Sequence, residues 1–283
     1  MDATEFEAIG THWRIDTPLP LTPHAGAAVL AIVEEYDAVY SRFRADSRIA
    51  QLAPGGSITL PAHGDALGRL YRTLYRLTDG AMSPLAGTSL EQLGYDAGYS
   101  FVPRGAPAAA PDWDGNLDWN GVRLTAHASV TLDVGAAGKG QLVDLVSDLL
   151  CAAGYPDHVV DAGGDMVHRG ATPAQVALEH PYAAGSAIGV VELGGRALCA
   201  SSSNRRRWAD GLHHVVNAAT GHCVDTVVAT WVLAADAMTA DGLATALFLA
   251  EPDTLLAEFS FDYIQVFSDG HARFSSPLDG ALF

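Results

Sequence analysis

Asp133-Val134-Gly135-Ala136-Ala137-Gly138-Lys139-Gly140, running on into Gln141 to Ala153, is the stretch that decides how the rest of the chain is read. Ser129 to Val134 reads as a short strand, and the glycines that follow turn it into a helix. In that helix, Gly140 to Ala153, the residues Leu142, Val143, Leu145, Val146, Leu149 and Leu150 are apolar, and Asp144, Ser147 and Asp148 are polar. A helix that opens with bare amides beside Lys139 is a ready anion site. It is not a Walker A loop, which needs Gly at position 133 and Ser or Thr at 140, where Asp133 and Gly140 stand. Taken alone, the stretch is as readily a tight strand-to-helix turn.

Working outward, Gly10 to Ile15 reads as an opening strand. Ala25 to Tyr40 carries a helical stripe of Val29, Ile32, Val33, Tyr36, Val39 and Tyr40. Asp65 to Thr78 repeats it with Leu67, Leu70, Tyr71, Leu74 and Leu77 inward, and Gly80 marks the stop. Pro103 to Pro111 reads as a surface loop, and Gly121 to Leu124 as a strand. Beyond the central helix, His158 to Asp161, Ala174 to Leu178, Ile188 to Leu193 and Tyr263 to Phe267 read as strands. Leu212 to Val216 and Val227 to Leu233 are expected to pair as a hairpin around Ala219-Thr220-Gly221, and a fourth helix spans about 235–250. Helices among hairpin-connected strands imply an α+β fold with mixed sheets. With no repeat and no linker, residues 1–283 read as one unit.

Charge narrows the function. The 283 residues carry a formal net charge of -17, whereas nucleic-acid binding needs clustered Lys and Arg. A phosphate-bearing ligand is therefore held by local devices: a few Arg, backbone amides or a metal ion. Three cysteines without a C-x-x-C pair fit no zinc site. The N-terminus lacks the basic and apolar regions of a signal peptide, and no stretch is long enough to span a membrane. A cytoplasmic, soluble protein is the expectation.

Four further segments carry chemistry. Asp161-Ala162-Gly163-Gly164-Asp165 ends a strand with paired glycines that admit a ligand close to the backbone, though an ordinary turn looks the same. Ala200 to Arg207 sets three Ser before Asn204 and three Arg, types that match phosphate oxygens, or equally an exposed hairpin. In His213-His214-Val215-Val216 the two imidazoles fall on opposite faces of a strand, so they cannot chelate together. Asp241 and Thr245 lie four apart on one helical face, two hard oxygens suited to Mg²⁺, with Asp236 close by.

In this order and spacing the segments resemble the FAD:protein FMN transferase family, also called the ApbE family. The likeness also takes in Gly10-Thr11-His12-Trp13, Ser41 to Ser47, and Thr78-Asp79-Gly80-Ala81-Met82. It implies an α+β unit of the T-fold type that cleaves FAD, releases AMP, and attaches FMN to Ser or Thr of a partner flavoprotein. It further implies Mg²⁺ held by Asp241, Thr245 and the carbonyl of Gly138, and His214 as the catalytic base. Gly163, Gly164 and Asp165 match the flavin-site turn, and Ser201 and Arg205 match the Ser and Arg near the nucleotide. Phe43, expected to stack on a flavin or adenine, completes the cofactor-binding set with Met82 and Lys139.

The family usually has Gly where Ser202 stands, Asp-Pro where Asn217-Ala218 stand, and Asp where Ser83 stands. A second reading stays open, an FAD-binding protein or an FAD hydrolase that gives FMN and AMP. As a base, His214 must be neutral, and an ordinary imidazole protonates near pH ~6.5. Activity is therefore expected to fall below that pH.

Overall fold

The chain begins with a hairpin of which the sequence announced only the second strand. β1 (Asp2–Ala8) turns at Ile9 and Gly10, whose φ values are 45° and 72°, and pairs with β2 (Thr11–Thr17). β1 is an edge strand with Asp2, Glu5 and Glu7 in it, and no apolar run marks it. The structure, a computed structural model, describes residues 1–283 apart from Ala184, Arg205, Asp210 and Asp279.

After the hairpin come α1 (Pro23–Tyr40), β3 (Ser57–Thr59), α2 (Gly64–Leu77) and two short helices, α3 (Gly87–Gln92) and α4 (Trp113–Asn116). β4 (Leu117–Asn120) and β5 (Arg123–Ala126) join β3 in a small sheet, and α5 (Gly138–Ala152) follows. Next are β6 (His158–Ala162), β7 (Asp165–Arg169), β8 (Ala174–Glu179), β9 (Ala187–Leu193) and β10 (Ala197–Ser202). The ribbon of β11 (Arg207–Trp208) and β12 (Leu212–His213) leads to β13 (Val227–Ala234), α6 (Ala237–Ala246), α7 (Pro252–Leu256), β14 (Asp262–Phe267) and β15 (Ala272–Phe274).

The main sheet has eight strands in the order β1-β2-β6-β7-β10-β13-β14-β15. The class is α+β, with antiparallel pairing in every ladder where mixed sheets were expected. Helices cover one face: α5 lies on β6 and β7, and α6 on β10 and β13. The β8–β9 hairpin contributes Leu178, Val191 and Leu193 to a second core on the other face. β13 shows why both faces fill. Its Val232 and Ala234 join the helical core, while Ala229, Trp231 and Leu233 join the second one, so period-two alternation gives an almost wholly buried strand.

That burial overturns the expected 212–233 hairpin. β13 takes β10 and β14 as its neighbours, and Leu212–His213 pair instead with Arg207–Trp208. The turn at 217–221 closes on itself, with Gly221 N donating to Asn217 O at 2.7 Å and Val216 bridging to Cys223. Among the described residues Ser129 to Val134 forms no strand and joins no sheet; Asp133 N donates to Pro84 O at 2.7 Å instead. The strand read at Gly121 to Leu124 is the turn and first residues of β5. The fourth helix is shorter than expected: it starts at Ala237, where Asp236 caps it by accepting from Thr239 N at 2.8 Å, and ends at Ala246.

Candidate active site

The site is assembled where α5 and α6 meet. They approach so closely at Gly140 that a Cβ there would run into the carbonyl oxygen of Ala237 and the Cβ of Asp241. Asp144 of α5 faces inward and caps α6, accepting from Ala237 N at 2.9 Å and Met238 N at 2.8 Å. Burial pushes its carboxyl up to about 7, against the pull of those two amides. Across the same contact, Gly140 N donates to Asp241 Oδ2 at 2.9 Å. Asp241 is 4% exposed, and burial raises its carboxyl above the usual range, with Lys139 pulling the other way. One turn along α6, Thr245 Oγ1 is 3.4 Å from Ser201 Oγ on β10.

Asp241, Thr245, Ser201 and Lys139 line a cavity of about 480 Å³ together with His214, Met82 and Gly163. His214 Nδ1 is buried and has no hydrogen-bond partner among the described residues. Burial, then the charge of Arg206, pushes the His214 pKa down to about 3, so the ring is neutral at every physiological pH. His213 turns the other way: it is 5% exposed and its Nε2 is 2.8 Å from Val224 O. A second cavity, of about 650 Å³, adjoins the first, and Phe43, Tyr95, Asp133, Lys139 and Arg206 line both. A neutral imidazole, a Lys, an Arg and hard oxygens around one space suit transfer of a phosphoryl group.

The family model described as the ApbE family matches residues 9–265. The chain belongs to the ApbE family. Over 223 residues it is 29% identical to a protein named FAD:protein FMN transferase from Rhodobacter capsulatus, an alignment covering 72% of this chain and 42% of that protein. The chain thus spans less than half the length of that relative. It is 26% identical over 257 residues to a protein of the same name from Haemophilus influenzae, covering 80% of this chain and 72% of that one. Its fold is similar to the crystal structure of the ApbE protein from Thermotoga maritima, with a TM-score of 0.85, 21% identity, and 100% and 99% of the two chains covered.

Within this ApbE fold the residues singled out from sequence are dispersed unevenly. Phe43, Met82, Lys139, Gly163, Ser201, His214, Asp241 and Thr245 line the smaller cavity, whereas Gly138 lines only the larger one. Gly164 and Asp165 line neither. The Gly164 amide is spent on Asp161 Oδ1 at 2.8 Å, and the fully buried Asp165 carboxylate pairs with Lys139 Nζ. Gly163 is needed as glycine: its φ is 66°, and a Cβ would overlap Thr11 Oγ1. Arg205 lies outside the described residues. Asp236 serves α6 as a cap. Among the described residues no three His, Cys, Asp or Glu side chains are grouped to hold a metal, and no helix is long and apolar enough to cross a membrane.

Other residues lining the cavities stand inside segments that the sequence marked, without being singled out individually. Arg42 donates through Nε to Asp133 Oδ2 at 2.5 Å and through Nη1 to Tyr95 O at 2.8 Å, which fixes the wall between the cavities. Burial works to raise the Asp133 carboxyl, but Arg42 and the Gly135 amide outweigh it and hold it below the usual range. Arg206, the middle arginine of its run, donates to Tyr95 Oη at 3.1 Å. Tyr71 reads in sequence as one more inward residue of a helix, yet it lines the smaller cavity and its buried hydroxyl has no hydrogen-bond partner among the described residues.

Proposed function

We propose that the protein is a Mg²⁺-dependent flavin transferase, which cleaves FAD at its pyrophosphate and attaches FMN to a Ser or Thr hydroxyl of a partner flavoprotein, releasing AMP. The observation that carries this reading is the shared cavity of a neutral His214 with Asp241 and Thr245. The donor set fits the ion: among the described residues Asp241 Oδ2 is engaged by a single amide, its carboxyl is buried, and Thr245 offers a second hard oxygen. Asp241 and Thr245 would hold Mg²⁺, with the Gly138 carbonyl on the adjoining turn as a third oxygen. Bound there, Mg²⁺ would offset the negative charge of the pyrophosphate as its bond breaks.

The chain's own groups do the rest. An unprotonated ring nitrogen of His214 takes the proton of the acceptor hydroxyl as its oxygen attacks the phosphorus of the FMN half. The new phosphorus–oxygen bond replaces the one to the AMP phosphate, which leaves with the electron pair. Lys139 and Arg206, at the junction of the cavities, bind the phosphates. Asp165 holds Lys139 in place. The two relatives, both named FAD:protein FMN transferase, support the same reading. Incubation with FAD and Mg²⁺, with and without the flavin-free form of a flavoprotein that carries FMN on threonine, tests it. Acceptor-dependent release of AMP that chelator abolishes supports the reading. AMP with free FMN regardless of acceptor indicates a hydrolase, and no AMP indicates a binding protein.

A further inference from the structure

We propose that Tyr99 is the platform on which a planar heteroaromatic ring of the nucleotide stacks, at the mouth of the larger cavity. The inference rests on the functional reading above and adds to it a residue that neither the motifs nor the chemistry of the smaller cavity points to. Phe43 is already engaged by the protein: the Arg42 guanidinium carbon lies 4.2 Å from its ring centroid, and Tyr95 meets it edge-on at 5.5 Å. The Tyr99 ring stacks on it with centroids 5.0 Å apart and 3° between planes. A ligand ring laid on Phe43 has to compete with these contacts. Tyr99 itself is 47% exposed, so the accessible aromatic surface at this end of the tier is its own.

The loop that carries Tyr99 is held rigidly. Asp96 Oδ1 accepts from Gly98 N and Ser100 N, each at 3.0 Å, and Oδ2 accepts from Ser100 Oγ at 2.7 Å and Arg104 Nη2 at 2.6 Å. Tyr99 and Phe101 sit at φ 50° and 51°, the left-handed region that non-glycine residues avoid, so the surrounding contacts fix an unfavourable backbone. Phe101, 41% exposed, stands beside Tyr99 at 51° and 6.0 Å and forms the second side of an open aromatic corner. Arg206 and Arg207 line the same cavity, where they can meet phosphates attached to a ring seated in that corner. A pre-ordered ring pays little entropy on stacking, which favours a flat, extended π system over an aliphatic ligand.

Two rings of FAD have that chemistry, the isoalloxazine and the adenine, and binding separates them. Calorimetry of the full chain with FAD, riboflavin and AMP, each for wild type, Tyr99→Leu and Tyr99→Phe, is the test. Loss of base–aromatic stacking should weaken FAD binding by about tenfold in Tyr99→Leu, while Tyr99→Phe binds within about twofold of wild type. A parallel loss for riboflavin assigns the isoalloxazine to Tyr99; a parallel loss for AMP assigns the adenine. The proposal is overturned if Tyr99→Leu binds FAD as tightly as wild type or tighter, or if neither riboflavin nor AMP shares the loss. It is also overturned if Tyr99→Phe loses as much as Tyr99→Leu. Failure of the functional reading shows in the wild type, as absent FAD binding or turnover; failure of this inference shows only in the variants.

Discussion

Gly140 and Asp241 are joined by a backbone-to-carboxylate hydrogen bond of 2.9 Å, which ties the first turn of one helix to the polar face of another. The bond turns Asp241 toward the end of α5, where amides and Lys139 favour negative charge, and among the described residues no hydrogen bond occupies its other oxygen. Asp241→Asn keeps the shape and an acceptor for Gly140 but loses the charge. Cleavage of FAD should fall by ~10²-fold or more, since metal stabilisation of a developing charge is worth several kcal/mol. Raising Mg²⁺ should not restore it, and the melting temperature should stay near that of wild type. AMP release measured across a Mg²⁺ titration checks this.

Gly140→Ala separates positioning from ligation. The added methyl meets the backbone of α6 at Ala237, so the helices must part. Overpacking of this kind costs about 1–3 kcal/mol, and here it should lower stability and turnover together, unlike Asp241→Asn. Urea unfolding beside the AMP assay distinguishes the two patterns.

His213 and His214 should respond in opposite ways. His214→Asn should slow turnover by about 10²–10⁴-fold with little change in FAD affinity, because general-base help belongs to the transition state. His213→Asn removes a buried contact to Val224 O and should instead destabilise the fold by about 1–3 kcal/mol. Single-turnover rates and thermal melts of both variants decide the assignment.

The pH dependence differs from what an ordinary imidazole implies. With the His214 pKa pushed from 6.5 to about 3, the free protein keeps its base unprotonated through mildly acid conditions. kcat/KM for FAD should therefore show no acid limb near 6.5 that His214→Asn removes. Stability carries the complementary sign. Between about 3 and 6.5 the unfolded chain binds a proton at residue 214 that the folded chain does not, so this group makes folding less favourable as pH falls. The slope of unfolding free energy against pH in that window should be less positive in His214→Asn than in wild type. Denaturant midpoints at several pH values give the difference, which cancels opposing groups such as Asp144.

Sequence disclosed most of the architecture where periodicity is strong and less where pairing is non-local. The helices α1, α2 and α5 begin within about two residues of where their stripes and stop signals put them, within the usual ambiguity of helix ends. β13 was read as a strand, but its partners depend on which ladder buries both of its faces, and no local pattern carries that. The same distinction holds in the site. Asp241 and Thr245 share a helix, so their proximity is local, and the glycine turn announces itself by composition. Arg42 meets Asp133 across 91 residues, and Tyr99 meets Phe43 with β3, α2 and α3 lying between them in the chain, so only the folded chain brings them together. Asp144 reads in sequence only as a polar residue of its helix, because a helical stripe does not reveal that another helix begins against it.

The most direct measurement is mass spectrometry of an acceptor flavoprotein after incubation with this protein, FAD and Mg²⁺, with AMP quantified in the same mixture. The account predicts that the acceptor gains one FMN on a Ser or Thr, that AMP appears in equal amount, and that His214→Asn and Asp241→Asn abolish both signals together. An unmodified acceptor with no AMP, or covalent flavin formed equally well by those two variants, would contradict it.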